Sequence, residues 1–148
     1  MKKILLACTA LMAALVSLGA QADTPVTVGD YTVHFNAFNT DSLQPSMAKA
    51  YNITRSKNRG MFTISVMKAA QGLSPMGQPV RAKLIASASN LTGQLRKFEV
   101  REIDEGNAVY YISVFHIAHE EILDFNIQVT PEGDKPFTVE FRQKFYSQ

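Results

Sequence analysis

The chain has 148 residues, 46% of them hydrophobic, with 15 lysines and arginines against 13 acidic residues and one cysteine. Without Lys2 and Lys3 the charges balance at 13 and 13, and a neutral chain lacking a long basic run has little attraction for phosphate backbones, which excludes nucleic acid as a partner. The single Cys8 leaves no intrachain disulfide and no cysteine-ligated metal to consider.

The N-terminus reads as a secretory signal. Lys2 and Lys3 form the positive region, residues 4–18 the apolar region, and Ala20-Gln21-Ala22 a small-x-small cleavage site. The apolar run of about 15 residues is shorter than the roughly 20 that span a bilayer, so no stable membrane span is expected in the mature chain. Leu5-Leu6-Ala7-Cys8 resembles a lipoprotein box, but a cut there would strand most of the apolar run in the mature protein, so Cys8 is read as part of the signal. Cleavage after Ala22 gives a periplasmic chain that starts at Asp23 and forms one domain over residues 23–148.

From there a two-residue period dominates. Tyr31, Val33 and Phe35 alternate with Thr32, His34 and Asn36; Phe62, Ile64 and Val66 with Thr63 and Ser65; Phe137, Val139 and Phe141 with Thr138, Glu140 and Arg142. Residues 109–117 are apolar on both phases, as in a central strand covered on both sides. Further strands are expected at 80–88, 97–103 and 122–129. Between them stand turn residues: Gly72 with Pro75, Gly77 and Pro79; Glu105-Gly106-Asn107; Pro131-Glu132-Gly133-Asp134. The pattern predicts an all-β, immunoglobulin-like two-sheet sandwich of about seven strands. One short helix is expected over residues 42–51, capped by Asp41 or Ser42, as a crossover from one sheet to the other.

Candidate chemistry is sparse. In the stretch Phe-His-Ile-Ala-His-Glu-Glu at 115–121, His116, His119, Glu120 and Glu121 are possible zinc ligands. A strand sends residues 116 and 119 to opposite faces, however, and the order differs from the helical His-Glu-x-x-His motif. Methionines 47, 61, 67 and 76 could offer thioethers to copper, but they are scattered singly, as core fillers are. There is no nucleophile elbow and no Ser-x-x-Lys with Lys-Thr-Gly, so no catalytic residues and no cofactor are assigned. Arg55, Lys57 and Arg59, spaced by two, would share one side of an extended segment and could receive a carboxylate or phosphate; charges before a strand also serve simply to discourage edge pairing. Asn36 and Asn39 stand where the first long strand ends. Their amides can bond backbone groups that leave the ladder, with Phe38 between them anchoring the turn in the core, or they can join Arg55 in a recognition site.

The segments Gly-Asp-Tyr-Thr-Val-His-Phe-Asn-Ala-Phe-Asn-Thr, Leu-Gln-Pro-Ser-Met-Ala-Lys-Ala-Tyr, Thr-Arg-Ser-Lys and Glu-Gly-Asn-Ala-Val-Tyr-Tyr together resemble a family of small secreted proteobacterial proteins known only as a domain of unknown function. The resemblance runs through Ala37, Phe38, Asn39, Leu43, Pro45, Ala48, Tyr51, Arg55, Ser56, Gly106, Asn107, Tyr110 and Tyr111. It implies a periplasmic β-rich domain and no established activity. The reading that follows is a non-catalytic periplasmic binding or assembly-accessory module, acting through a surface such as a sheet edge that accepts a strand from another periplasmic protein or a peptide. A metal-binding protein using His116, His119 and Glu120 is the alternative from another class, and a hydrolase the third.

Overall fold

The computed structural model describes residues 25–69 and 77–148. The expected signal peptide, Cys8, the start at Asp23, the Gly72–Pro75 turn and Met76 lie outside the described residues. In chain order the elements are β1 (Val26–Val28), β2 (Tyr31–Asn39), a 3-10 turn (Thr40–Ser42), α1 (Pro45–Ala50), β3 (Arg59–Lys68), β4 (Gln78–Pro79), β5 (Ala82–Asn90), β6 (Leu95–Phe98), β7 (Arg101–Asp104), β8 (Val109–His116), β9 (Glu121–Pro131) and β10 (Phe137–Phe145).

All pairings are antiparallel and build two sheets, one in the order β1-β2-β3-β8-β7 with β4 beside the end of β3, the other in the order β10-β9-β5-β6. Setting aside the short β1 and β4, the first reads A-B-E-D and the second G-F-C-C′ in immunoglobulin lettering, so the sandwich has the expected topology. The alternating residues set the inner faces. Val33, Phe62, Ile64, Val66, Leu123, Phe125, Ile127 and Val139 are buried between the sheets. Small residues make room for rings: Ala86 and Ala88 on β5 are buried, and a Cβ at Gly60 would come within 2.7 Å of the Phe115 ring. Phe35 stacks on Phe141 at 4.3 Å and Phe141 on Phe125 at 4.7 Å, closing the side of the sandwich where β2 approaches β10.

Three expectations change. The stretch 97–103 is not one strand: β6 ends at Phe98 in the second sheet and β7 begins at Arg101 in the first, so Glu99 and Val100 cross between layers. Nor does the helical segment change sheets. β2 and β3 pair directly from Tyr31↔Lys68 to Asn39↔Gly60, so α1 lies within a connection that leaves and rejoins the first sheet. The helix is also shorter than expected and is not capped by Asp41 or Ser42. A residue before proline avoids the helical region, and Gln44 accordingly stays extended (φ −62°, ψ 139°), so the helix starts at Pro45. It ends with Asn52 in the left-handed region (φ 54°), Asn52 N–H donating to the Lys49 carbonyl at 3.2 Å and Ile53 N–H to that of Ala48 at 2.8 Å. That pair of bonds is a Schellman stop, with Ile53 and Ala48 in the same apolar cluster.

Candidate functional site

The outward phase of β8 supplies Ile112 and Val114, and that of β3 supplies Met61; the loop and helix after β2 fold over them. Leu43, Ala48, Ile53, Met61 and Ile112 form a second buried cluster, with Phe38, Tyr51, Ile103 and Val114 packed against it. This cover accounts for the apolar character of β8 on both phases. Phe38 therefore anchors this outer cluster and not the core between the sheets.

A helix of six residues spans only about 9 Å, too little to roof the whole outer face. What it leaves open is a groove of about 340 Å³ lined mainly by Phe38, Leu43, Met47, Tyr51, Met61, Ile103, Tyr110 and Ile112. Glu105 is the one acidic group in its wall. The Tyr51 hydroxyl donates to the Glu105 carboxylate, and that bond, with burial adding to it, holds the Tyr51 pKa above its ordinary value. Past Ile53 and Ile112, which line both, the groove adjoins a polar cleft walled by Asn52, Thr54, Arg59, Glu99, Arg101 and Ser113. The Arg101 guanidinium donates to the Tyr51 carbonyl at 2.5 Å. Arg59 makes no ion pair among the described residues.

The β7–β8 turn sets the mouth. Gly106 takes a positive φ of 82° and its N–H donates to the Asp104 carboxylate at 2.8 Å, while Glu105 N–H donates to the Ala108 carbonyl at 2.9 Å. The Gly106 bond, and after it the Arg81 guanidinium paired with Asp104, lower the Asp104 pKa.

The residues singled out in the sequence do not form one constellation. Asn36 is exposed on the outer face of β2. The Asn39 amide donates to the carbonyls of Tyr146 and, at 3.2 Å, Lys57, tying the end of β2 to the loop before β3 and to the chain just past β10. Arg55 donates to the Asp41 carbonyl at 2.7 Å. A turn closed by Arg59 N–H to the Ser56 carbonyl interrupts the extended geometry that would have aligned Arg55, Lys57 and Arg59; only Arg59 reaches the cleft. His116 is exposed at the end of β8, and His119 Nδ1 accepts from Ser147 N–H at 3.3 Å. Glu120 pairs with Lys144 at 3.0 Å, and no group of three possible metal ligands occurs among the described residues.

The position that sequence reasoning missed is Thr40. It is wholly buried, its hydroxyl facing the carbonyls of Thr54 at 3.0 Å and Ser56 at 3.1 Å and accepting from Ser56 N–H at 2.9 Å. A threonine after a strand is common, and only the returning loop makes it central. The groove was signalled in part by the second apolar phase of β8.

The family model of a domain of unknown function, DUF4426, matches residues 26–148. The fold is similar to the crystal structure of a DUF4426 family protein from Pseudomonas aeruginosa PAO1, with 32% sequence identity, a TM-score of 0.71, and coverage of 86% of this chain and 97% of that one. No curated protein matches the chain.

Proposed function

We propose, from the premise that the chain belongs to the DUF4426 family, that it is a non-catalytic, periplasmic binding module whose groove beside α1 holds the apolar part of a ligand. The adjoining cleft receives an acidic group of the same ligand, as in an apolar peptide segment that carries a carboxylate. The observation that carries this reading is an apolar groove that shares Ile53 and Ile112 with a neighbouring cleft in whose wall two arginines, Arg59 and Arg101, outnumber the single carboxylate of Glu99. An arginine offers a planar set of donors suited to a carboxylate, while the apolar wall supplies affinity by burial. Export rests on the charged, apolar and small-residue order of residues 2–22.

Dodecanoate and dodecylammonium, titrated into the protein by calorimetry, test it. Dodecanoate is expected to bind more tightly, with the preference lost in Arg59→Gln/Arg101→Gln and the binding itself lost in Ile103→Asp. No binding of either probe at about 1 mM, an affinity of only about −4 kcal/mol, rejects the groove as a ligand site.

A further inference from the structure

The second sheet ends on β10, and among the described residues that strand pairs only with β9, along all nine of its positions. Its other side presents a row of backbone groups without a strand partner, the kind of edge that proteins ordinarily shorten, bulge or cover. Here the edge is anchored from within: Phe141 is stacked between Phe35 and Phe125, and Phe137 is stacked on Tyr31 at 5.7 Å. β1 extends the neighbouring sheet only as far as Val33, at the Tyr31 end.

We propose that two copies of the chain join edge to edge along β10, antiparallel, about a two-fold axis at Phe141. This pairing is independent of the groove and rests on the order of charges along the outer face of the strand. Thr138, Glu140, Arg142 and Lys144 share that face, and their cross-strand neighbours hold two of them in place: Arg142 grips Asp124 at 2.5 and 2.9 Å, and Glu140 accepts from Asn126 at 2.9 Å.

In a two-fold antiparallel pairing centred on Phe141, Glu140 of each copy lies opposite Arg142 of the other, twice, and Thr138 lies opposite Lys144. Moving the centre by one residue toward the C-terminus sets Arg142 against Arg142 at the axis, although it brings Glu140 opposite Lys144 on either side; moving it toward the N-terminus sets Glu140 against Glu140. Half-residue shifts would oppose an inward residue to an outward one, which a sheet with one dry face does not tolerate. Opposite charges facing across a ladder stabilise it and like charges oppose it, and the centre at Phe141 pairs opposite charges twice without setting like charges against each other. The interface is isologous, as a closed dimer requires, and it merges the two four-stranded sheets into one.

Sedimentation equilibrium of the purified protein, with E140R and R142E variants, tests the register. The unaltered chain is expected to dimerise. Each variant alone faces like charges twice and is expected to weaken the dimer at least about tenfold. Mixed, the two complement each other: the E140R chain carries cations at both positions, the R142E chain carries carboxylates at both, and dimers should return as heterodimers. A monomer up to about 100 μM, an affinity no better than about −5 kcal/mol, overturns the proposal. So does a dimer that both variants leave intact, or one that their mixture fails to restore. If R142E does not fold, E140R, which disturbs only the Asn126 contact within the subunit, still decides whether the edge is used: an undiminished dimer refutes it and a weakened one upholds it.

Discussion

Two apolar clusters share the first sheet as a common wall, and they differ in what closes them. On the inner side a second sheet lies along every strand, and Phe62 and Phe125 are 0% and 1% exposed. On the outer side one six-residue helix and its flanking loops close only part of the face, leaving Met47 49% and Tyr110 38% exposed. Similar side chains thus yield a sealed core on one face and an open groove on the other. The partner layer, and not the hydrophobicity of the strand, decides which.

The largest expected effect tests that contrast directly. Phe125→Ala should cost about 3–5 kcal/mol in urea melts, since it combines lost burial with a cavity among packed rings. Met47→Ala should stay within about 0.5 kcal/mol while weakening dodecanoate binding. Equal losses at the two sites would show that the outer cluster is as sealed as the core.

Thr40→Val keeps the shape but removes the hydroxyl, leaving Ser56 N–H without its acceptor and the Thr54 and Ser56 carbonyls without the one proton they share. A loss of about 1–3 kcal/mol is expected, with Thr40→Ser retaining most of the stability. A neutral Thr40→Val would mean that water reaches these groups and that the outer layer is loosely closed.

Asn39 and Arg55 sharpen the contrast at the loop. Asn39→Ala frees two carbonyls, on Lys57 and Tyr146, and should cost about 1 kcal/mol; Arg55→Ala removes a single exposed bond to Asp41 and should stay within about 0.5 kcal/mol. Comparable melts for the two would put Arg55 in the scaffold.

The smallest effect concerns acid. Because the folded pKa of Asp104 is lowered, its contribution is present above the unfolded carboxylate value near about 4 and is lost as pH falls through the lower folded value. On acidification below about pH 4, the Gly106 amide resonance should shift while core methyl resonances hold. A simultaneous collapse of both would show that the turn and the core are one cooperative unit.

Much of the sandwich could be read from alternation because a strand repeats every two residues, and β2, β3 and β10 each keep one dry face. The two apolar phases of β8 even announced a cover on both sides. The split at Glu99–Val100 could not be read, since the chain keeps its extended, alternating character while changing layers. β1 and β4, with three and two residues, are too short to show a period. The groove was hidden for another reason: Phe38, Met47, Met61, Ile103 and Tyr110 come from separate stretches, and no local pattern joins them.

The bonds of the Thr40 hydroxyl have a consequence for motion. They clasp the chain at Thr40 and again at Thr54–Ser56, so that the segment between, with α1 inside it, forms a loop fastened at its neck. Such a loop can lift away while β2 and β3 remain zipped, which makes the roof of the groove a separate opening unit with a lower free energy of exposure than the sheets. Amide protons of Ala48, Tyr51 and Ile53 would then exchange with solvent ahead of those in β3, and a bound ligand would slow the first group while leaving the second unchanged.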